Sequence, residues 1–216
     1  SLVIKKAVYT AFFLDIHILL LRIIIITILN LAHLFVSASD FGTTGVISTP
    51  SARMMKDGMI RATLSNDKVA RITNFSYQAL PWMEMTFRYT MFDPQDIGDD
   101  NLKDRSYGVK FRLAKETKYT PAIAIGARDI LGTGAWTGEY IVGSKQLGNL
   151  DLSLGLGWGR FSERENFKNP LGRMNSHLYT RGNYSGGSLG GKLRSKSMFR
   201  GPHVGLFGGI TFDIPR

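Results

Sequence analysis

The sequence predicts an all-β fold: antiparallel, up-and-down strands forming part of an outer-membrane β-barrel, preceded by a helical signal segment. Three observations lead there. From residue 58 onward, apolar and polar residues alternate with period 2, and no long 3.6-residue periodicity intervenes. The stretches between the alternating runs are short and longer by turns, as periplasmic turns and outer loops are in such barrels. Tyrosine and tryptophan recur beside the longer connections, where amphipathic rings prefer a membrane–water boundary.

Residues 1–38 read as a signal leader. Lys5, Lys6 and Arg22 precede the apolar run 23–36, and Val36 and Ala38 take the small-residue places before a cleavage point. A transmembrane anchor is the rival. A span needs about 20 apolar residues, and Arg22, Asn30 and His33 interrupt this run. Residues 39–57 form an N-terminal segment ahead of the strands. Residues 58–216 hold about eight strands of an incomplete barrel. A start at Ser1 and an end at Arg216 just after a strand-like run suggest a piece of a longer reading frame.

The first hairpin, 59–64 with 69–78, is weakly patterned. The stretch 83–91 sets Met83, Met85, Phe87, Tyr89 and Met91 against Glu84, Thr86, Arg88 and Thr90. Residues 106–113 set Tyr107, Val109, Phe111 and Leu113 against Ser106, Gly108, Lys110 and Arg112. Residues 122–128 offer Ile123, Ile125 and Ala127 against Ala122, Ala124, Gly126 and Arg128. Residues 136–145 place Trp136, Gly138, Tyr140 and Val142 opposite Thr137, Glu139 and Lys145. In 149–160, Leu150, Leu152, Leu154, Leu156 and Trp158 alternate with Asp151, Ser153, Gly155, Gly157 and Gly159. The run 203–212 follows with Val204, Leu206, Ile210 and Phe212 in register.

Successive side chains of a strand point to opposite faces, so each apolar face meets either lipid or a soluble core. No charge falls on these faces, where a Lys or Arg at the bilayer midplane costs about 2–4 kcal/mol. A sandwich core would exclude charge as well. Tyr89, Tyr107, Trp136 and Trp158 lie on the apolar faces beside the longer connections, as an aromatic girdle would. The opposite face carries Glu84, Arg88, Lys110, Arg112, Arg128, Glu139 and Asp151, candidate lumen-facing contacts that a polar barrel interior would hold in water. Interior glycines weaken a strand, so Gly155, Gly157 and Gly159 fit a sandwich poorly. They would let bulky neighbours or a plug approach a barrel wall. The apolar face is assigned to lipid.

Composition limits the chemistry. The chain has no cysteine, which removes disulfides, thiolate metal sites and a cysteine nucleophile. Neither a cofactor nor a metal is expected. The stretch 186–193 lacks the Ser or Thr that a phosphate loop uses for magnesium, and the acidic run 93–100 lacks the twelfth-position Glu of a calcium loop. After the leader the histidines are His177 and His203, with no Gly-x-Ser-x-Gly elbow, which leaves hydrolase triads and zinc unsupported. Glu84 with Glu139 or Asp151 reads as wall carboxylates facing arginines rather than as a glycosidase pair. No enzymatic activity is expected.

The net charge is +10. Between residues 160 and 200, nine cations face only Glu163 and Glu165: Arg160, Arg164, Lys168, Arg173, Arg181, Lys192, Arg194, Lys196 and Arg200. At an outer rim this basic loop would meet lipopolysaccharide phosphates or an acidic polymer; a merely solvated loop is the plainer alternative. Nucleic acid is not an expected partner, because the chain carries an export signal and its aromatics fall in strands rather than among the loop's cations.

Several blocks resemble a known family. The stretches GTTGVISTPSARMMKDG (42–58), LPWMEMTFRYT (80–90) and DRSYGVKFRL (104–113) are similar to YjbH-type exopolysaccharide-biosynthesis proteins. YTPAIAIGARDILGTGAWTGEYIVGSK (119–145), LGLGWGR (154–160) and FRGPHVGLFGGI (199–210) continue the match in order. The resemblance covers nearly everything after the leader. It implies an outer-membrane β-barrel from exopolysaccharide or group 4 capsule gene clusters, acting in polymer secretion beside a small lipoprotein and periplasmic partners. It also implies a longer chain than this one, and it carries over no catalytic residue. A secreted soluble β-sandwich lectin and an outer-membrane polysaccharide hydrolase remain the alternatives.

Overall fold

The computed structural model describes residues 18–22, 38–66, 70–93, 103–182, 193 and 195–212. It divides into two units, residues 1–36 and 37–216. In the first, residues 18–22 are helical; residues 1–17 and 23–37 of the expected signal leader lie outside the described residues.

The second unit is all-β. A small hairpin, β1 (Gly45–Val46) with β2 (Thr49–Pro50), precedes a nine-stranded sheet. Its strands are β3 (Ile60–Asn66), β4 (Ala70–Leu80), β5 (Met83–Phe92), β6 (Lys103–Ala114), β7 (Ala122–Ile130), β8 (Gly138–Leu147), β9 (Leu150–Gly157), β10 (Phe167–Lys168) and β11 (His203–Phe212). Strands β3 to β9 pair with their neighbours in chain order, all antiparallel; β11 adds to β9, and β10 to the start of β11. The sheet is open: its ladder runs from β10 to β3 without closing. The strands follow the expected positions, several a few residues longer, because ladder bonds persist after side-chain alternation fades. The turns at Pro81–Trp82, 115–121 and Gly148–Asn149 share one end, and the longer connections the other.

Burial is reversed relative to a soluble protein. On β5 the polar Glu84, Thr86, Arg88 and Thr90 are all buried, while Met85 and Met91 are exposed. On β9 and β11, Leu154 is 62% exposed and Ile210 65%, whereas Ser153, Gly155 and Gly157 are buried. Neighbouring ladders continue this sense through Ile60, Leu64, Phe75, Tyr77, Leu113, Leu206 and Phe212, all exposed.

The buried polar face curls around residues 38–55. Ser76 on β4 donates to Gly42 O at 2.6 Å, and Gly209 on β11 packs against Val46. Four residues span at most ~14 Å. In a flat sheet β4 and β11, six strand spacings apart, would stand about 29 Å from each other. The sheet must bend to bring both onto one short segment.

Strand β8 corrects one expectation. Its pairing sets Ile141 beside Ile125 and Leu156, and Tyr140 beside Gly126 and Gly157. Tyr140 and Val142 therefore point inward, each 1% exposed, and Ile141 points outward. Both faces of β8 are apolar, so alternation alone does not say which meets the interior.

Candidate functional site

The candidate site is the inner face together with the segment seated on it. Glu84 and Lys110 face each other across β5 and β6 at 3.0 Å, neither exposed. Glu84 also accepts from Thr44 N at 2.7 Å and Thr44 Oγ1 at 2.8 Å. Lys110 Nζ donates to Arg53 O at 2.7 Å and Thr44 O at 3.3 Å. An ammonium has three protons and no acceptor; here carboxylate and two carbonyls take all three. Buried ionic groups hold only when so satisfied.

Further bonds fix the segment along its length. Gly42 takes φ +79°, and a Cβ there would stand 2.7 Å from Thr86 Cγ2, so only glycine fits. Ala52 N donates to Ser144 Oγ at 2.8 Å, and Met55 N to Gln78 Oε1 at 3.0 Å. Toward the short turns, the Arg53 guanidinium binds Asp151 through two hydrogen bonds of 2.7 Å and Glu116 through one of 2.5 Å. Glu116 also accepts from Gln146 N and pairs with Lys145, each at 3.0 Å. Partial burial raises the Glu116 pKa, but the bonds from Arg53, Gln146 N and Lys145 outweigh it and hold the carboxyl down at about 2. The Asp151 hydrogen bond likewise keeps Arg53 above its ordinary range against partial burial.

Toward the longer connections the inner face becomes aromatic and cationic. Arg128 lies between two rings, 3.9 Å above Phe41 and 3.8 Å above Phe161. Arg88 stands 4.3 Å from Phe41, and Arg160 4.9 Å from Trp136. The glycines of β9 make room for this cluster. A Cβ on Gly157 would meet Phe161 at 2.3 Å, and one on Gly155 would meet Phe207 at 2.3 Å.

Of the expected inner residues, Glu84, Arg88, Lys110, Arg128 and Asp151 stand where alternation put them. Arg112 shares their side but lies at the short-turn rim, donating to Pro81 O at 2.6 Å. Glu139 is corrected. It alternates with the inward Tyr140, so it belongs to the outward side, where Arg181 and Phe199 cover it. There it accepts from Arg181 at 2.7 and 2.9 Å and from Phe199 N at 3.0 Å.

Two girdle expectations are corrected for related reasons. Trp136 turns inward, 6.3 Å from the ring of Phe41. Trp158 is on the outward side but only 4% exposed, donating to Asn169 Oδ1 at 3.0 Å and packing on Phe199. Tyr89 and Tyr107 are outward as expected.

The basic loop is folded where it is described: 3₁₀ turns at Pro170–Arg173 and Ser176–Tyr179 pack around buried Asn169, and further turns form at Gly159–Ser162 and Ser195–Ser197. Arg181 is consumed by Glu139, and Arg200 donates to His177 O. Arg164, Lys168, Arg173 and Lys196 are exposed. Lys192 and Arg194 lie outside the described residues. Sequence reasoning gave Arg53, Phe41 and Phe161 no role. The one available signal was the glycine stripe, which implied something bulky on that face.

Residues 37–216 match the family model described as "Exopolysaccharide biosynthesis protein YbjH". The chain belongs to the YjbH family. It is 38% identical over 187 residues to the "Uncharacterized lipoprotein YjbH" of Escherichia coli (strain K12), an alignment covering 83% of this chain and 26% of that protein. The chain thus spans about a quarter of that relative's length. No solved structure matches. The family's description names exopolysaccharide biosynthesis.

Proposed function

We propose that this chain is a wall segment of an outer-membrane β-barrel that serves exopolysaccharide export and performs no catalysis. The observation that carries the reading is the reversed burial: a continuous outward face of exposed Leu, Ile, Met and Phe around an inner face of buried, hydrogen-bonded polar groups. Monomeric soluble proteins rarely expose contiguous apolar patches beyond a few hundred Å², and a lipid-facing wall requires one. Aromatic residues bracket that face. Trp82, stacked on Phe111, lies at the short-turn end, and Tyr89 seven residues along β5. Seven residues cover ~23 Å of strand, on the order of the 25 Å apolar band of such barrels.

The relative's printed name, a lipoprotein, supports export to a membrane. In this reading the outward face meets lipid and lipopolysaccharide. The growing polymer passes the inner side, and periplasmic and lipoprotein partners complete the apparatus.

The experiment is a deletion of the full-length gene, with polymer measured inside and outside the cell and the protein located by envelope fractionation. The reading expects the protein with the outer membrane and polymer retained within. Recovery in the soluble fraction favours the lectin alternative. Loss of polymer from both compartments assigns the protein to synthesis instead of export. Shortened or cleaved polymer appearing only when the protein is present assigns it to hydrolysis.

A further inference from the structure

The aromatic end of the inner face contains a cleft of about 530 Å³ that the plug's bonding leaves open. Phe41, Arg128, Trp136, Phe161, Arg160 and Arg164 line it. Arg128 makes no salt bridge or hydrogen bond among the described residues, and its Nε is buried without an acceptor. Nor has the Trp136 indole N–H any acceptor. Buried polar groups are seldom left so, and here two donors are unsatisfied in one cleft. Arg160 pairs with Glu163, while Arg164 stands exposed at the rim.

The geometry selects a ligand. Phe41 and Phe161 cover both flat faces of the Arg128 guanidinium, so only its edge remains to donate. An edge of parallel N–H groups matches a planar carboxylate bidentately. The indole offers a further donor. The volume falls within the range of small-molecule sites. We propose that this cleft is a binding site for a carboxylate-bearing sugar of an acidic glycan. The Arg128 edge takes the carboxylate, the Trp136 indole N–H takes a hydroxyl, and Arg160 and Arg164 add attraction at the mouth. Phe41 belongs to the seated N-terminal segment, so the site exists only while that segment is in place. This inference rests on the export reading and deepens it.

The test uses full-length protein in detergent and tetragalacturonic acid as the probe, with maltotetraose and glucosamine 6-phosphate as comparisons. Binding is followed by titration calorimetry. Tetragalacturonic acid is expected to bind saturably and more weakly as salt rises, maltotetraose at least tenfold more weakly. Arg128→Gln is expected to weaken binding tenfold or more, and Arg128→Lys, which keeps the charge but loses the fork, several-fold. Arg164→Gln, at the exposed rim, does not threaten folding and is expected to cost about threefold. Arg173→Gln, exposed and outside the cleft, is expected to change nothing. The proposal is overturned if the wild type fails to bind the uronate, or if both Arg128→Lys and Arg164→Gln bind as wild type. Equal or tighter binding of the neutral or phosphorylated sugar overturns it too. Export separates the two readings: normal export by a null strain defeats the secretion role and leaves the site standing, whereas dependence on the gene with no uronate binding defeats only the site.

Discussion

At the residue scale, the Glu84–Lys110 pair has the strongest consequence. Both groups are fully buried and mutually satisfied, and the pair anchors the seated segment through Thr44 and Arg53. Glu84→Gln leaves the ammonium without its carboxylate, and breaking such a buried pair costs about 3–5 kcal/mol. A lower urea midpoint is expected in membrane-reconstituted protein, with part of the loss recovered in Glu84→Gln/Lys110→Met. A midpoint within error of wild type for the single variant contradicts the described geometry. Glu116 supplies the pH dependence. Its folded pKa is depressed to about 2, so its contribution is fully present above the ordinary carboxylate pKa of about 4.3 and is lost as pH falls through the folded value. Limited proteolysis of residues 38–57 is expected to accelerate between about pH 4 and 2, and Glu116→Gln should flatten that rise.

At the element scale, β9 is built around what its bare side must admit. Gly157→Ala places a methyl group 2.3 Å from Phe161 Cβ, and overpacking of this kind costs ~1–3 kcal/mol. The unfolding midpoint should fall in Gly157→Ala, yet Phe161→Gly/Gly157→Ala should be no worse than Phe161→Gly alone. If Gly157→Ala costs as much in both backgrounds, the two positions are not in contact. This side of β9 was partly legible in the sequence, since interior glycines announce a close approach without naming the visitor. Strand β8 was not, because Tyr140, Val142 and Ile141 are apolar on both parities and only pairing with Ile125 and Leu156 orients them. Glu139 and Trp158 were misassigned for a tertiary reason: Asn169, Arg181 and Phe199 cover them on the outward side, and no local pattern in 136–158 reports a cover supplied from beyond.

At the scale of the whole molecule, what connects sequence to function is the sense of the sheet. Alternation in 83–91, 106–113 and 203–212 was clear enough to place strands and separate two faces. Alternation is symmetric, however, and does not say which face is inside. That was settled by Gly42, Thr44, Ala52 and Arg53, whose hydrogen bonds with Ser76, Glu84, Ser144 and Lys110 hold the polar side of the sheet around the segment. Leu154, Leu206 and Ile210 are left exposed among the described residues. Seating the segment and exposing the apolar wall are therefore one structural event, and removing residues 38–57 is expected to make the curled sheet lose its heat-resistant mobility on semi-native gels.

The most direct measurement is power-saturation EPR on full-length protein in bilayers, with spin labels on single cysteines at Met85, Leu154 and Ile210 and, for the opposite side, at Thr86 and Ser153. Labels at Met85, Leu154 and Ile210 are expected to collide often with oxygen and rarely with a water-soluble nickel chelate, the signature of hydrocarbon. Those at Thr86 and Ser153 should be immobilised and shielded from both. Nickel accessibility at Leu154 and Ile210 equal to that of a label in water, or shielding from both relaxants beneath other protein, would contradict the lipid-facing wall.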